Sequence, residues 1–99
     1  MIALMSFTGV DQTTPVTGFA TAEGSSTAPS VTVVSAADDL VVDFGGTDAE
    51  ETVAPGADQT ERFEVTGAKV LNNWSSTQAG AASVVMDHTL GTTAKWTLV

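Results

Sequence analysis

Apolar residues along this chain recur at every second position in short runs, and the runs are separated by Gly, Pro, Asp and Ser. Period-two alternation marks a strand that turns one face to a core. No stretch sustains the i, i+3, i+4, i+7 repeat of an amphipathic helix over three turns. The alternation is longest in 82–90. Ala82, Val84, Met86, His88 and Leu90 fall on its inner face; Ser83, Val85, Asp87 and Thr89 fall on its outer face. In 61–66 the same reading turns Phe63 and Val65 inward and Arg62 and Glu64 outward. In 94–99 Trp96 and Leu98 share one side. Residues 30–35 are rich in β-branched side chains, which favour strands. Ala36-Ala-Asp-Asp39 then reads as a tight turn into a strand on which Leu40, Val42 and Phe44 share a face and Val41 and Asp43 look away. So short a connection predicts a hairpin.

The remaining segments are weaker. Residues 2–8 are apolar on both faces, which predicts a strand covered from both sides. Residues 9–15 and 24–29 have loop composition, and 17–23 alternates weakly about Phe19. Residues 45–57 read as the least structured part. Gly67 reads as a turn, 68–74 as a partner strand for 61–66, and 75–80 as a polar loop. Seven or eight short strands at this spacing predict a single all-β domain over residues 1–99, folded as an antiparallel β-sandwich or barrel.

Composition narrows the function. Forty-two per cent of the 99 residues are hydrophobic, enough for a core. A chain this short buries a smaller fraction of its surface than a longer one, so part of the stability is expected from a partner chain. The absence of cysteine excludes disulfides, thiolate metal ligands and cysteine nucleophiles. Twelve acidic residues against three basic ones give a net charge of −9. That field repels a nucleic-acid backbone and an anionic lipid surface. It favours solubility and suits a cationic patch on a protein partner. The apolar run 1–7 has no basic residue before it and is too short for a secretory signal. No run approaches the ~20 apolar residues of a membrane-spanning helix.

Few residues offer chemistry. His88 is the one histidine, and Asp87 beside it points to the other face of the strand, so the two cannot form part of a triad. His88 reads as a packing residue. Asp38, Asp39, Asp43, Asp48, Glu50 and Glu51 match no calcium-loop spacing and read as a solvated acidic surface. No metal or cofactor is expected. Glu61 and Glu64 point to opposite faces of one strand, so they cannot flank one glycosidic bond. Trp96 alternates with Leu98 and reads as core. Trp74, beside Asn72, Asn73 and Ser75, is the better candidate for stacking on a sugar ring, with core packing the equal alternative. Phosphate loops, zinc patterns and nucleophile elbows are absent.

Several segments together resemble a known family. They are Ser6-Phe-Thr-Gly-Val-Asp-Gln-Thr-Thr-Pro15, Pro29-Ser-Val-Thr-Val-Val-Ser-Ala-Ala-Asp-Asp-Leu-Val-Val-Asp43, Gln59-Thr-Glu-Arg62, Ala81-Ala-Ser-Val-Val-Met86 and Lys95-Trp-Thr-Leu98. In that order they resemble the second half of jelly-roll (concanavalin-A-like) β-sandwich modules of phage virion proteins and large bacterial surface proteins. The likeness covers nearly the whole chain. It implies a jelly-roll sandwich and a non-enzymatic attachment or structural role. Such modules carry further strands before the part that matches Ser6 to Val10, and often an aromatic where His88 stands. A sandwich short of strands leaves an edge or a face to be covered by a neighbour.

The expected function is therefore that of a structural protein located in the virion, such as a capsid decoration (cement) or fibre subunit. It would form a homo-oligomer, with a capsid protein as a further partner. Assembly by strand addition at the first and last strands would bury Ile2, Leu4, Met5, Phe7 and Val99. The alternative is an extracellular or cell-surface carbohydrate-binding module using Trp74, Asn72 and Asn73.

Overall fold

A computed structural model describes residues 3–50, 52–66 and 71–99. Its eight strands are β1 (Ala22–Ser26), β2 (Ser30–Val33), β3 (Leu40–Thr47), β4 (Val53–Pro55), β5 (Thr60–Thr66), β6 (Asn72–Ala79), β7 (Val84–Leu90) and β8 (Ala94–Leu98). No helix occurs among the described residues. The strands form a five-stranded sheet, β1-β8-β3-β6-β5, and a three-stranded sheet, β2-β7-β4. Every pairing is antiparallel. The chain is thus the antiparallel β-sandwich that its alternation predicts.

The pairings are nested. β1 joins β8, β2 joins β7, and β3 joins β6. The chain folds back on itself as one long hairpin, and the rolled hairpin splits alternate pairs between two sheets in the jelly-roll manner. β5 lies beside β6 at the edge of the larger sheet rather than beside β4.

The core lies between the sheets. Val31, Val53, Trp74, Val84, Met86, Leu90, Ala94 and Leu98 form one buried cluster. β7 obeys its alternation: Val84, Met86, His88 and Leu90 are buried and the residues between them are exposed. Gly45 of β3 pairs with Trp74 of β6, and a Cβ at Gly45 would overlap the indole. Glycine is required there by the close approach of the Trp74 ring.

Several expectations are overturned. Residues 3–21 form no strand and lie outside both sheets. Gly9, with φ +74°, and Pro15 interrupt extended structure there. Between them Asp11 Oδ1 accepts the backbone N–H of Thr13 at 2.7 Å and of Thr14 at 2.8 Å. Ala36–Asp39 is a turn, closed by Asp39 N donating to Ala36 O at 3.1 Å. Its carboxylate caps the turn by accepting Ala36 N at 2.9 Å. The turn does not make a hairpin, because β2 and β3 enter different sheets. Residues 75–79 continue β6, and Ser75, Ser76 and Thr77 are buried there rather than looped out. In the stretch read as least structured, β3 runs on to Thr47 and β4 spans Val53–Pro55. Of the expected partner strand 68–74, residues 68–70 lie outside the described residues, while Asn72, Asn73 and Trp74 pair with β5 as expected.

Two strands turn the opposite face to the core from the one their hydrophobic pattern predicts. On β3, Asp43 and Thr47 are buried, whereas Leu40 and Phe44 are about half exposed. On β5 the register with β6 slips between Glu61 and Phe63, a β-bulge at Arg62. Glu61 pairs with Ser76 and Glu64 with Trp74, so both acids lie on the side of the inward-facing residues of β6. Phe63 and Val65 are turned outward. A one-residue slip inverts every later side chain on a strand. The bulge therefore also overturns the expectation that Glu61 and Glu64 point to opposite faces.

Candidate functional site

Two arrangements stand out: a polar network inside the sandwich and an apolar surface outside it. The network centres on Asp43, which is 1 % exposed. Its Oδ1 accepts the Ser76 N–H at 2.6 Å, and its Oδ2 accepts the Ser76 hydroxyl at 2.9 Å. His88 Nε2 lies 2.6 Å from the same Oδ2. Ser75 Oγ donates to the Asp43 carbonyl at 2.6 Å. A carboxylate accepts only, so the proton of this contact sits on Nε2. The 3.3 Å approach of Gln59 Nε2 to His88 Nε2 is then a meeting of two donors and not a hydrogen bond. Gln59 Nε2 donates instead to Ser76 Oγ at 2.7 Å, while its Oε1 accepts the Asp87 N–H at 2.7 Å.

One carboxylate thus ties β3 and β6 of the larger sheet to β7 of the smaller one, and Gln59 adds the turn before β5. The imidazole of His88 also faces Trp74, with ring centroids 5.3 Å apart. His88 Nδ1 and Trp74 Nε1 are buried and find no hydrogen-bond partner among the described residues. In a nucleophilic triad the imidazole stands between hydroxyl and carboxylate. Here the carboxylate stands between hydroxyl and imidazole, and all three side chains are sealed from solvent. The arrangement is a clamp between sheets. Asp87 does not meet His88, as expected; the acid that holds the imidazole is Asp43 from β3.

Among the acids read as a solvated surface, Asp38, Asp48 and Glu50 are exposed as expected, and Asp43 is the exception. Asp43 is in the core, Asp39 caps a turn, and Asp48 Oδ1 accepts the Lys95 N–H at 3.1 Å. Glu51 lies outside the described residues. Among the described residues no three His, Asp or Glu side chains converge.

Trp74 takes the core alternative and not the ligand one, and Trp96 packs against the core as expected while staying half-buried. Trp74 is 2 % exposed and Asn72 is fully buried, with its Nδ2 donating to Glu64 Oε1 at 3.0 Å. Asn73 is half-buried. The Trp74 ring offers no face to a sugar, because β6 points it into the core. Trp96, expected as core, is half-buried beside Gly24, and its Nε1 donates to Ser26 Oγ at 3.0 Å.

The apolar surface is the outer side of the five-stranded sheet together with the segment 3–21. Phe44 and Phe63 flank buried Ser75 in one cross-strand row, their ring centroids 6.4 Å apart. Leu40, Val65 and Val99 are also substantially exposed. A groove of about 770 Å³ runs between this face and the segment, with Phe7, Val16 and Phe19 on one wall and Leu40, Val42 and Phe44 on the other. Thr17 Oγ1 donates to Asp39 Oδ2 at 3.3 Å, which ties the segment to the β2–β3 turn.

The expected interface residues fall as follows. Leu4 is 90 % exposed, Phe7 and Val99 are about half exposed, and Met5 is half-buried. Ile2 lies outside the described residues. Strand addition at the chain's last strand is ruled out, because β8 is hydrogen-bonded on both sides, to β1 and to β3. Residues 3–8 form no strand that could be added to another.

Comparison with protein-family models, with curated proteins and with solved structures gives no match.

Asp11 offers a check on the segment. The N–H groups of Thr14 and Thr13 hold its carboxyl below the usual aspartate range. The turn's stabilisation is therefore complete above the ordinary aspartate value and is lost as pH falls through the lower folded value. A carbon-detected NMR titration should show Asp11 protonating below the usual aspartate range. A midpoint within that range would mean that the Asp11–Thr14 turn does not persist in solution.

Proposed function

We propose that this chain is a non-enzymatic structural protein that assembles through the outer face of its five-stranded sheet, with a virion decoration or fibre subunit as the most specific form of that role. One observation carries the reading. β3 and β5 point Leu40, Phe44, Phe63 and Val65 away from the core, although an antiparallel sheet with one face in water normally turns polar residues that way. A contiguous apolar face rimmed by polar residues marks a contact surface. The exposed Val16 and Phe19 of the 3–21 segment, which wall the same groove, extend it. The placement in a virion rests on the resemblance of the ordered segments to virion jelly-roll modules. The non-enzymatic reading draws on His88, the one histidine, being sealed in the core with Nε2 held by Asp43.

Light scattering of the isolated chain, combined with urea melts at several protein concentrations, tests this. The expected result is a defined oligomer and a melt whose midpoint rises with concentration. Leu40→Asp, which puts a charge on the exposed apolar face, should weaken association at least about tenfold, equivalent to roughly 1.4 kcal/mol. A monomer at all concentrations with a concentration-independent melt would overturn self-assembly through this face.

A further inference from the structure

We infer that the groove between the 3–21 segment and β3 takes a cationic amphipathic segment of a different protein, one whose apolar side chains are flanked by Lys or Arg. The inference rests on the reading of this face as a contact surface and names the partner that its groove fits.

Two features of the groove define the occupant. Its walls are apolar and open: Val16, Phe19 and Val34 are each about three-quarters exposed, and Leu40 and Phe44 about half. Apolar side chains gathered in this way mark a contact surface, whereas scattered ones do not. Its polar lining is acidic. Asp11 comes from the segment, Asp38 and Asp39 come from the β2–β3 turn, and among the described residues no Lys, Arg or His lines the groove. Asp11 serves its own turn through Oδ1, and Asp39 serves its turn through Oδ2. Asp38 is exposed and takes no hydrogen bond from a described residue. Each carboxylate thus keeps an oxygen for an incoming cation.

Charge selects among partners. A second copy brings a net charge of −9 to the same acids, and an anionic lipid surface or a nucleic-acid backbone is repelled in the same way. A segment with basic residues is attracted on approach and forms charge-assisted hydrogen bonds on arrival. Apolar residues between the basic ones would cover Phe19, Val34 and Leu40, giving the apolar centre and polar rim of a specific interface. The acids come from both segments that form the groove, so they call for more than one cation, which a stretch of protein chain supplies. Phe63 and Val65 lie on the same sheet face outside the groove, which leaves apolar surface for contact between copies beside a docked segment.

The probe is a capped synthetic peptide with paired lysines at both ends and a leucine-rich centre, titrated into the isotope-labelled chain and followed by NMR. The expected shifts are confined to the groove, at Val16, Phe19, Asp38 and Leu40, and spare Val85 on the opposite sheet. Phe19→Ser and Asp38→Asn both replace exposed side chains, so the fold should be kept. Phe19→Ser should weaken binding about tenfold, as loss of an anchor does. Asp38→Asn should weaken it at low salt and much less at high salt, where the charges are screened. Asp58→Asn, exposed and outside the groove, is the control and should leave binding unchanged. A chain that does not bind the peptide, that binds a glutamate-flanked version equally well, or that loses as much affinity with Asp58→Asn as with Asp38→Asn overturns the inference. Shifts at Phe19 and Asp38 on concentrating the chain alone, which the peptide does not reverse, would seat a second copy in the groove and also overturn it. Light scattering judges the assembly reading separately. A monomer that binds the peptide loses self-assembly and keeps the groove, whereas an oligomer that ignores the peptide keeps self-assembly and loses the groove.

Discussion

Replacement of Asp43 by Ala is expected to lower the unfolding free energy by about 3–5 kcal/mol. The carboxylate is the shared acceptor for the Ser76 N–H, the Ser76 hydroxyl and His88 Nε2. Removing it leaves three donors buried with nothing to accept them, and each unsatisfied group carries most of its desolvation cost. The loss is a large share of the roughly 5–15 kcal/mol that holds a small domain folded. In urea it should move the midpoint down by at least about 1 M, taking the upper slope usual for small proteins. Asp87→Ala, one residue from His88 but exposed, is the control and should stay within about 0.5 kcal/mol. The double variant Asp43→Leu/His88→Leu separates causes. If the cost lies in stranded polar groups, the double change should be less damaging than the sum of the single ones. Equal damage from Asp43→Ala and Asp87→Ala would show that the clamp does not hold the sheets.

Trp74→Ala is expected to cost a similar amount, about 3–5 kcal/mol, from lost burial and the cavity left behind. The ring fills the space over Gly45 and packs on His88, so its loss opens the core at the point where the clamp is anchored. Gly45→Ala attacks the same contact from the other side. The new methyl has no room beside the indole, and overpacking of this kind typically costs about 1–3 kcal/mol. Both variants should melt early by circular dichroism while remaining soluble enough to measure. A Trp74→Ala protein with an unchanged melt would remove the indole from the core and reopen it as a ligand contact.

How far the sequence reveals this molecule differs from strand to strand. β7 is legible because its apolar residues and its buried residues coincide, and β8 because Leu98 and Ala94 do the same. β3 misleads, because its inner face is chosen by specific partners and not by hydrophobicity. Asp43 must meet Ser76 and His88, and Gly45 must make room for Trp74, so the apolar set Leu40, Val42 and Phe44 is left outside. β5 misleads through its bulge at Arg62, which no residue pattern announces. The second part of β6 looks like a loop because Ser75, Ser76 and Thr77 are turn-prone, yet their hydroxyls and the pairing to β3 and β5 satisfy them inside the sheet. The clamp was half visible. A lone histidine on an apolar strand face must find a partner, but a partner forty-five positions away depends on how the sheets are stacked. The apolar outer face, which carries the functional reading, emerges only once β3 and β5 are seen to be inverted.

The nested pairing has a consequence for synthesis. β1 begins at Ala22 and is matched to β8 as far as Leu98, so the first of the eight strands waits for the eighth. β2 likewise waits for Met86 and its neighbours. While the chain is still emerging from the ribosome, its early strands have no partners of their own, and their apolar residues stand open to other chains. Long-range closure of this kind is slow and prone to aggregation. An acidic chain in which like charges keep unfinished copies apart is well matched to that exposed interval.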